Sequence, residues 1–73
     1  GLEFNFYLSE EVGRLKEVVT SAQTLEESQK DETIKENLSK VYDILEDISE
    51  QPINKDTLYR VLQVQQLEKE IIS

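Results

Sequence analysis

The chain of 73 residues contains no cysteine, no histidine and no tryptophan, and it has one proline and two glycines. Without cysteine and histidine, disulfide bonds and the usual ligands of structural zinc are excluded. The commonest general base at neutral pH and the commonest thiol nucleophile are absent for the same reason. With only Gly1 and Gly13, no glycine-rich loop can hold a phosphate. We therefore predict that the chain is not an enzyme and binds no cofactor and no metal.

Long apolar runs are also absent, because none approaches the roughly 18 residues needed to span a bilayer. Basic residues are few: eight Lys and Arg stand against sixteen Asp and Glu, which gives a net charge of −8. Phosphate backbones and anionic lipid surfaces repel such a chain, whereas basic protein segments attract it. We expect no direct contact with nucleic acid or membranes. The lack of cysteine is compatible with an intracellular location, nuclear or cytoplasmic.

Hydrophobic residues recur at steps of three and four in three segments, a spacing typical of amphipathic helices. The three stripes are Leu8, Val12, Leu15, Val19 and Ala22; Ile34, Leu38, Val41, Leu45 and Ile48; and Leu58, Val61, Leu62, Val64, Leu67, Ile71 and Ile72. A chain of this length forms one small domain. We predict an all-α fold, an antiparallel three-helix bundle with helices at about residues 9–27, 31–50 and 54–72.

Side chains that can accept a hydrogen bond from the first backbone N–H groups precede each predicted helix. Ser9, Asp31 and Asn54 are the N-cap candidates. Pro52 breaks the chain between the last two helices, and Gln51 before it must adopt an extended backbone. The third helix has a wider apolar face than one packing stripe needs. Either two sides of this helix are buried, which we favour, or one flank is left for another protein.

The segment of residues 1–8 is rich in aromatic residues, with Phe4, Phe6 and Tyr7 close together. We favour an N-terminal strap in which Phe4 and Phe6 fold over the bundle, and the alternative is an anchor for a partner chain. Phe4 and Phe6, together with Tyr59 in the third helix, are the aromatic candidates for partner binding.

Four acidic residues without a basic neighbour lie on successive turns of the second helix. They are Asp43, Glu46, Asp47 and Glu50. The pattern of a calcium loop with its central glycine is absent, so a metal site is not predicted. A solvated helix face is the simplest interpretation. The alternative, which makes these four residues our candidate binding site, is a docking patch for Lys or Arg residues of a partner.

The run from Ile44 to Leu58 resembles a pattern in the N-terminal domain of transcription elongation factor TFIIS, which Elongin A and a Mediator subunit share. The shared features are a helix with apolar positions at the family's spacing, then Pro52, an apolar residue, the capping residue Asn54 and a further helix. Domains of this family are compact helical bundles that bind short disordered motifs in other transcription proteins. The resemblance, which covers about a third of the chain, implies the same role here.

Two functions from different classes follow from these observations. The first, which we favour, is a non-catalytic protein–protein interaction domain, an acidic helical bundle that docks a basic or amphipathic segment of another protein. The resemblance to the TFIIS domain implies that this role belongs to transcription regulation. The second is a structural or oligomerisation fragment of a larger complex, in which the aromatic residues and the wide face of the third helix are buried between subunits, including copies of the same chain.

Overall fold

The computed structural model describes residues 2–72, which form four α-helices and no strand. They are α1 (Leu2–Gln23), α2 (Glu26–Lys30), α3 (Glu32–Glu50) and α4 (Lys55–Ile72). The all-α prediction is confirmed. The described residues contain four helices where three were predicted, because the connection between the first two long helices forms the five-residue helix α2. None of the helices within residues 2–72 has the length and apolar character needed to cross a bilayer.

The first helix begins at Leu2, seven residues before the predicted start. Ser9 is therefore inside α1 and is not its N-cap. The predicted strap is also wrong for residues 2–8, which form the first two turns of α1, while Gly1 lies outside the described residues. The physical reason is that residues 2–8 contain neither proline nor glycine. Extending a helix costs much less than nucleating one, so α1 continues to Leu2.

The core consists of one face from each long helix. Its buried hydrophobic residues are Leu8, Val12, Leu15, Val19 and Ala22 of α1, Leu38, Val41, Leu45 and Ile48 of α3, and Val61 and Val64 of α4. The predicted stripes of α1 and α3 are confirmed, with Ile34 partly buried at the edge of the core. In α4, however, Leu62 and Ile72 stay 50% and 43% exposed. One flank of α4 is thus open, contrary to the favoured expectation for this helix.

The long helices alternate in direction. Leu8 near the start of α1 lines the same cavity as Ile48 near the end of α3 and Thr57 near the start of α4. At the other end of the molecule, Ile34 of α3 and Ile71 of α4 line a common cavity. Hence α3 runs antiparallel to both neighbours, and α1 and α4 run parallel. The contact between α1 and α4 is the least extensive of the three.

Two of the three predicted N-caps are confirmed. The Asp31 carboxylate accepts hydrogen bonds from the backbone N–H groups of Thr33 and Ile34, at 2.9 and 3.3 Å. The Asn54 side chain accepts from the Asp56 N–H at 2.9 Å, and the Asn54 N–H donates to the Thr57 hydroxyl at 3.0 Å. This reciprocal pair fixes the start of α4. Gln51, before the proline, is extended as predicted.

Candidate functional site

The four acidic residues predicted as a docking patch lie on α3 but do not form one unpaired surface. The Glu46 carboxylate is 2.8 Å from the Lys16 ammonium group of α1, and the Asp47 carboxylate is 2.7 Å from the Arg60 guanidinium group of α4. Asp43 and Glu50 are exposed. The absence of a basic neighbour along α3 is therefore compensated by bases from the two adjacent helices. These ion pairs neutralise half of the cluster.

The Lys16 pair joins α1 to α3. The hydrogen bond from Lys16 is the main cause that holds the pKa of Glu46 below its ordinary value and raises the pKa of Lys16. Lys16 Nζ also lies 5.8 Å from the centre of the Tyr42 ring, within the range of a cation–π contact. Both charged side chains remain partly exposed, so this contact orients α1 on α3 more than it stabilises the fold.

The Arg60 pair joins α3 to α4 across the turn at Pro52. Arg60 donates to Asp47 and also to the Gln51 side chain, at 3.2 Å, while Gln51 donates back to Asp47. An acid four residues before Arg60, at Asp56, favours a pair within the helix, but Arg60 is bound to Asp47 instead. The hydrogen bonds among these three side chains link the C-terminal end of α3 to α4.

The three aromatic candidates lie in different places. Phe4 and Phe6 are 39% and 65% exposed, and because two residues along a helix turn by about 200°, they point to different sides of α1. Tyr59 is exposed on α4. The structure does not bring the three rings together. Phe4 instead shares a side of α1 with Tyr7, which the predicted site did not include.

A different surface, the α1/α4 groove, is formed by two stripes with steps of three and four residues. It is lined by Arg14, Leu15 and Val18 on α1 and by Gln65, Glu68, Lys69 and Ile72 on α4. Helical spacing places Phe4, Tyr7 and Glu11 on the same side of α1, and Leu58 and Leu62 on the same side of α4. The Gln65 side chain donates to the Glu11 carboxylate at 2.5 Å, which shows that the stripes face each other. Beyond this contact, side chains of both helices line a depression of about 380 Å³. Its surface is mainly apolar.

The middle of the α1/α4 groove is polar. Arg14 donates from Nε and Nη2 to the two carboxylate oxygens of Glu11, at 2.6 and 3.0 Å. This bidentate pairing is the main cause that lowers the pKa of Glu11 and raises the pKa of Arg14. Apolar side chains lie on both sides, with Tyr7 and Leu62 toward one end and Val18 and Ile72 toward the other. The groove is therefore apolar at its ends and charged at its centre.

Glu68 lies at the floor of this groove and is only 6% exposed. Its Oε2 atom is buried and has no hydrogen-bond partner among the residues that the structure describes. Burial raises the pKa of Glu68, Arg14 lowers it by a smaller amount, and Glu11 adds to the rise. A buried carboxylate oxygen without a donor costs free energy, so it is uncommon in folded proteins. Glu68 is the most unusual ionisable group in the described chain.

Glu68 was not predicted as a site residue from the sequence, although its spacing indicates burial. Thr57, Val61, Val64 and Glu68 follow at steps of four, three and four, and all four are buried on one face of α4. A glutamate on the buried stripe of an amphipathic helix is the signal that could have found it. Among residues 2–72, no three carboxylates come together in an arrangement that could hold a metal ion.

The raised pKa of Glu68 leads to a prediction about stability and pH. Because the folded state favours the protonated carboxyl group, the free energy of unfolding falls as the pH rises from the ordinary glutamate value through the raised one. We expect the Glu68→Gln variant to lose this dependence. Urea unfolding of both proteins at several pH values between about 4 and 7 measures it. Relative to wild type, the variant should gain stability with increasing pH.

Glu11 and Glu46, two carboxylates with lowered pKa values, have the opposite effect. Their contribution to the free energy of unfolding is lost as the pH falls through their pKa values in the folded state. Both are present in wild type and in the Glu68→Gln variant, so the difference between the two proteins isolates Glu68. A difference that stays constant with pH would contradict the prediction.

Comparison of the chain with protein-family models, with curated proteins and with solved structures gave no match. The resemblance of residues 44–58 to the TFIIS N-terminal domain therefore stays a prediction.

Proposed function

We propose that this chain is a non-catalytic protein–protein interaction domain that binds an amphipathic helical segment of another protein. The observation that carries the proposal is the α1/α4 groove, along which Tyr7, Leu62 and Ile72 stay 54%, 50% and 43% exposed. Exposed apolar side chains aligned along a groove between two helices are the surface that a helix-in-groove interaction uses.

Further features support this choice. In the proposal, the three long helices form an antiparallel bundle with α2 as a structured connection. The net charge of −8 favours a segment with basic residues. Asp43 and Glu50, exposed on α3, supply further negative charge toward such a partner. The resemblance to the TFIIS domain favours a role in transcription, in the nucleus or the cytoplasm.

The groove is favoured over the predicted acidic patch as the main contact surface. Two carboxylates of that patch, those of Glu46 and Asp47, already hold Lys16 and Arg60, and a partner would have to break these pairs to use them. The apolar ends of the groove have no such occupant. Burial of apolar area supplies most of the affinity in interfaces of this kind, whereas exposed charges mainly accelerate association.

A peptide-display selection tests the proposal. The probe is a library of helical peptides of about 18 residues, long enough for five turns, in which one face is varied and the other is fixed as alanine and glutamine. We expect wild-type protein to enrich peptides with an apolar stripe. A Tyr7→Ser and Leu62→Ser double variant should bind these peptides much more weakly. Tyr59→Ser, which changes an exposed residue outside the groove stripes, is the matched control and should bind like wild type.

The alternative, an oligomerisation fragment, predicts a different result. In that case the same apolar side chains pair with a second copy of the chain. Sedimentation equilibrium over a range of protein concentrations should then give a dimer or larger species, and Leu62→Ser should dissociate it. A monomer that enriches amphipathic peptides supports the interaction domain, whereas a stable oligomer without peptide binding would refute it.

A further inference from the structure

The α1/α4 groove has a chemical requirement that a purely apolar helix cannot meet. The Glu68 Oε2 atom at its floor has no donor among the described residues, and the surface of the depression around it is mainly apolar, although Arg14, Gln65 and Lys69 also line it. Covering the groove with an apolar surface would remove the remaining water and leave a carboxylate unpaired in a dry site. An occupant that places a hydrogen-bond donor against the Glu68 carboxylate avoids that cost.

Arg14, one of the two cations that line the depression with Glu68, is already engaged. It gives both of its hydrogen bonds to Glu11, and the second oxygen of Glu11 also accepts from Gln65. Its effect on Glu68 is electrostatic, without a hydrogen bond. Moving Arg14 to Glu68 would leave Glu11 without its bidentate partner. Lys69, which lines the same depression, also donates no hydrogen bond to the Oε2 atom, so no described residue meets the requirement of Glu68 and a bound partner can.

The charge around the groove favours a cationic donor over a neutral one. Glu10 and Glu17 are exposed on the same side of α1 as Arg14, and the chain as a whole has a net charge of −8. A charged donor also gives a shorter and stronger hydrogen bond to a carboxylate than a neutral donor does. A second copy of this chain would instead carry a net charge of −8 itself and be repelled.

We infer that the α1/α4 groove binds an amphipathic helix whose apolar face contains one lysine or arginine, and that this cation pairs with Glu68. The inference rests on the proposed function and specifies the partner. Tyr7 and Val18 on α1 are separated by three helical turns, about 16 Å. The partner therefore needs about three turns, with apolar residues at both ends and the cation between them.

A double-mutant cycle tests the pairing. The probes are two synthetic peptides of one selected sequence, one with the central lysine or arginine and the other with norleucine in its place. The proteins are wild type, Glu68→Gln and the control Glu70→Gln, which changes an exposed glutamate of α4. We expect norleucine to weaken binding to wild type and to Glu70→Gln by about tenfold or more, as for a charge-assisted hydrogen bond. For Glu68→Gln, the two peptides should bind alike.

The ionisation state of Glu68 provides a second readout that a merely structural role would not change. In protein labelled with carbon-13, the carboxyl resonance of Glu68 reports its protonation during a pH titration. Binding of the cationic peptide should lower the pKa of Glu68, and the norleucine peptide should raise it further or leave it unchanged. Circular dichroism confirms that each variant is folded.

The two proposals can fail separately. If selected peptides bind but contain no central cation, or if norleucine weakens binding equally in all three proteins, the pairing with Glu68 is refuted and the interaction domain stands. If no peptide binds wild-type protein, the proposed function is refuted and the inference with it. A dimer that buries Leu62 and excludes the peptides would identify a second copy as the occupant and overturn the inference.

Discussion

Replacing Leu45 with alanine is expected to lower the free energy of unfolding by about 2 to 5 kcal/mol. Leu45 is fully buried in the C-terminal half of α3, a helix that contacts both other long helices. The change removes apolar contacts and leaves a cavity that the surrounding side chains fill only in part. Leu38 lies about two helical turns before Leu45 on the same face of α3. Because Leu38 is also fully buried, Leu38→Ala should have a similar effect.

A loss of this size is a large fraction of the total free energy of unfolding of a 73-residue domain, which amounts to about 0.05 to 0.15 kcal/mol per residue. The melting temperature followed by circular dichroism should fall by more than about 8 °C. Leu62→Ala is the matched control, because Leu62 is half exposed and its replacement leaves no enclosed cavity. If Leu45→Ala melts like wild type, the assignment of the buried face of α3 is wrong.

The second large effect is expected from Asp31→Ala, which should destabilise the domain by about 1 kcal/mol, within a range of about 0.5 to 2. The Asp31 carboxylate caps α3 by accepting from two backbone N–H groups, and its negative charge lies at the positive end of the helix dipole. The same residue ends α2, because its backbone N–H donates to the Glu27 carbonyl oxygen at 3.1 Å. Alanine keeps that backbone contact and loses the cap.

Chemical unfolding of three variants separates the cap from the charge. Asp31→Asn keeps a side-chain oxygen and should retain most of the stability. Asp43→Ala removes the same charge from an exposed position inside α3 and should have little effect. If Asp31→Ala and Asp43→Ala are equally stable, the hydrogen bonds of Asp31 contribute nothing measurable and the cap is not a determinant of the fold.

The features that depend on neighbours in the chain could be predicted from the sequence. The buried stripes of α1 and α3 follow from helical spacing, and the caps at Asp31 and Asn54 follow from side-chain type. The start of α1 could not be predicted, because Ser9 is a good capping residue and also tolerable inside a helix. The choice depends on whether residues 2–8 continue the helix, and no residue in that segment stops it.

The candidate site could be predicted much less well, because it depends on side chains from different helices. The acidic residues Glu46 and Asp47 have no basic neighbour along α3, and their partners Lys16 and Arg60 are brought to them only by the bundle. The groove likewise requires knowing that α1 and α4 lie side by side. Only Glu68 could have been recognised from the local sequence, because it is a charged residue at a position on the buried face of α4.

The parallel arrangement of α1 and α4 also has a consequence for folding kinetics. Each of these helices reaches the antiparallel α3 through a short connection, so both hairpins can form from contacts that are close in sequence. Contact between α1 and α4 requires closure of nearly the whole chain, which makes it the entropically most costly step. This interface should therefore form last and open first, so that amide hydrogen exchange along its edge precedes global unfolding.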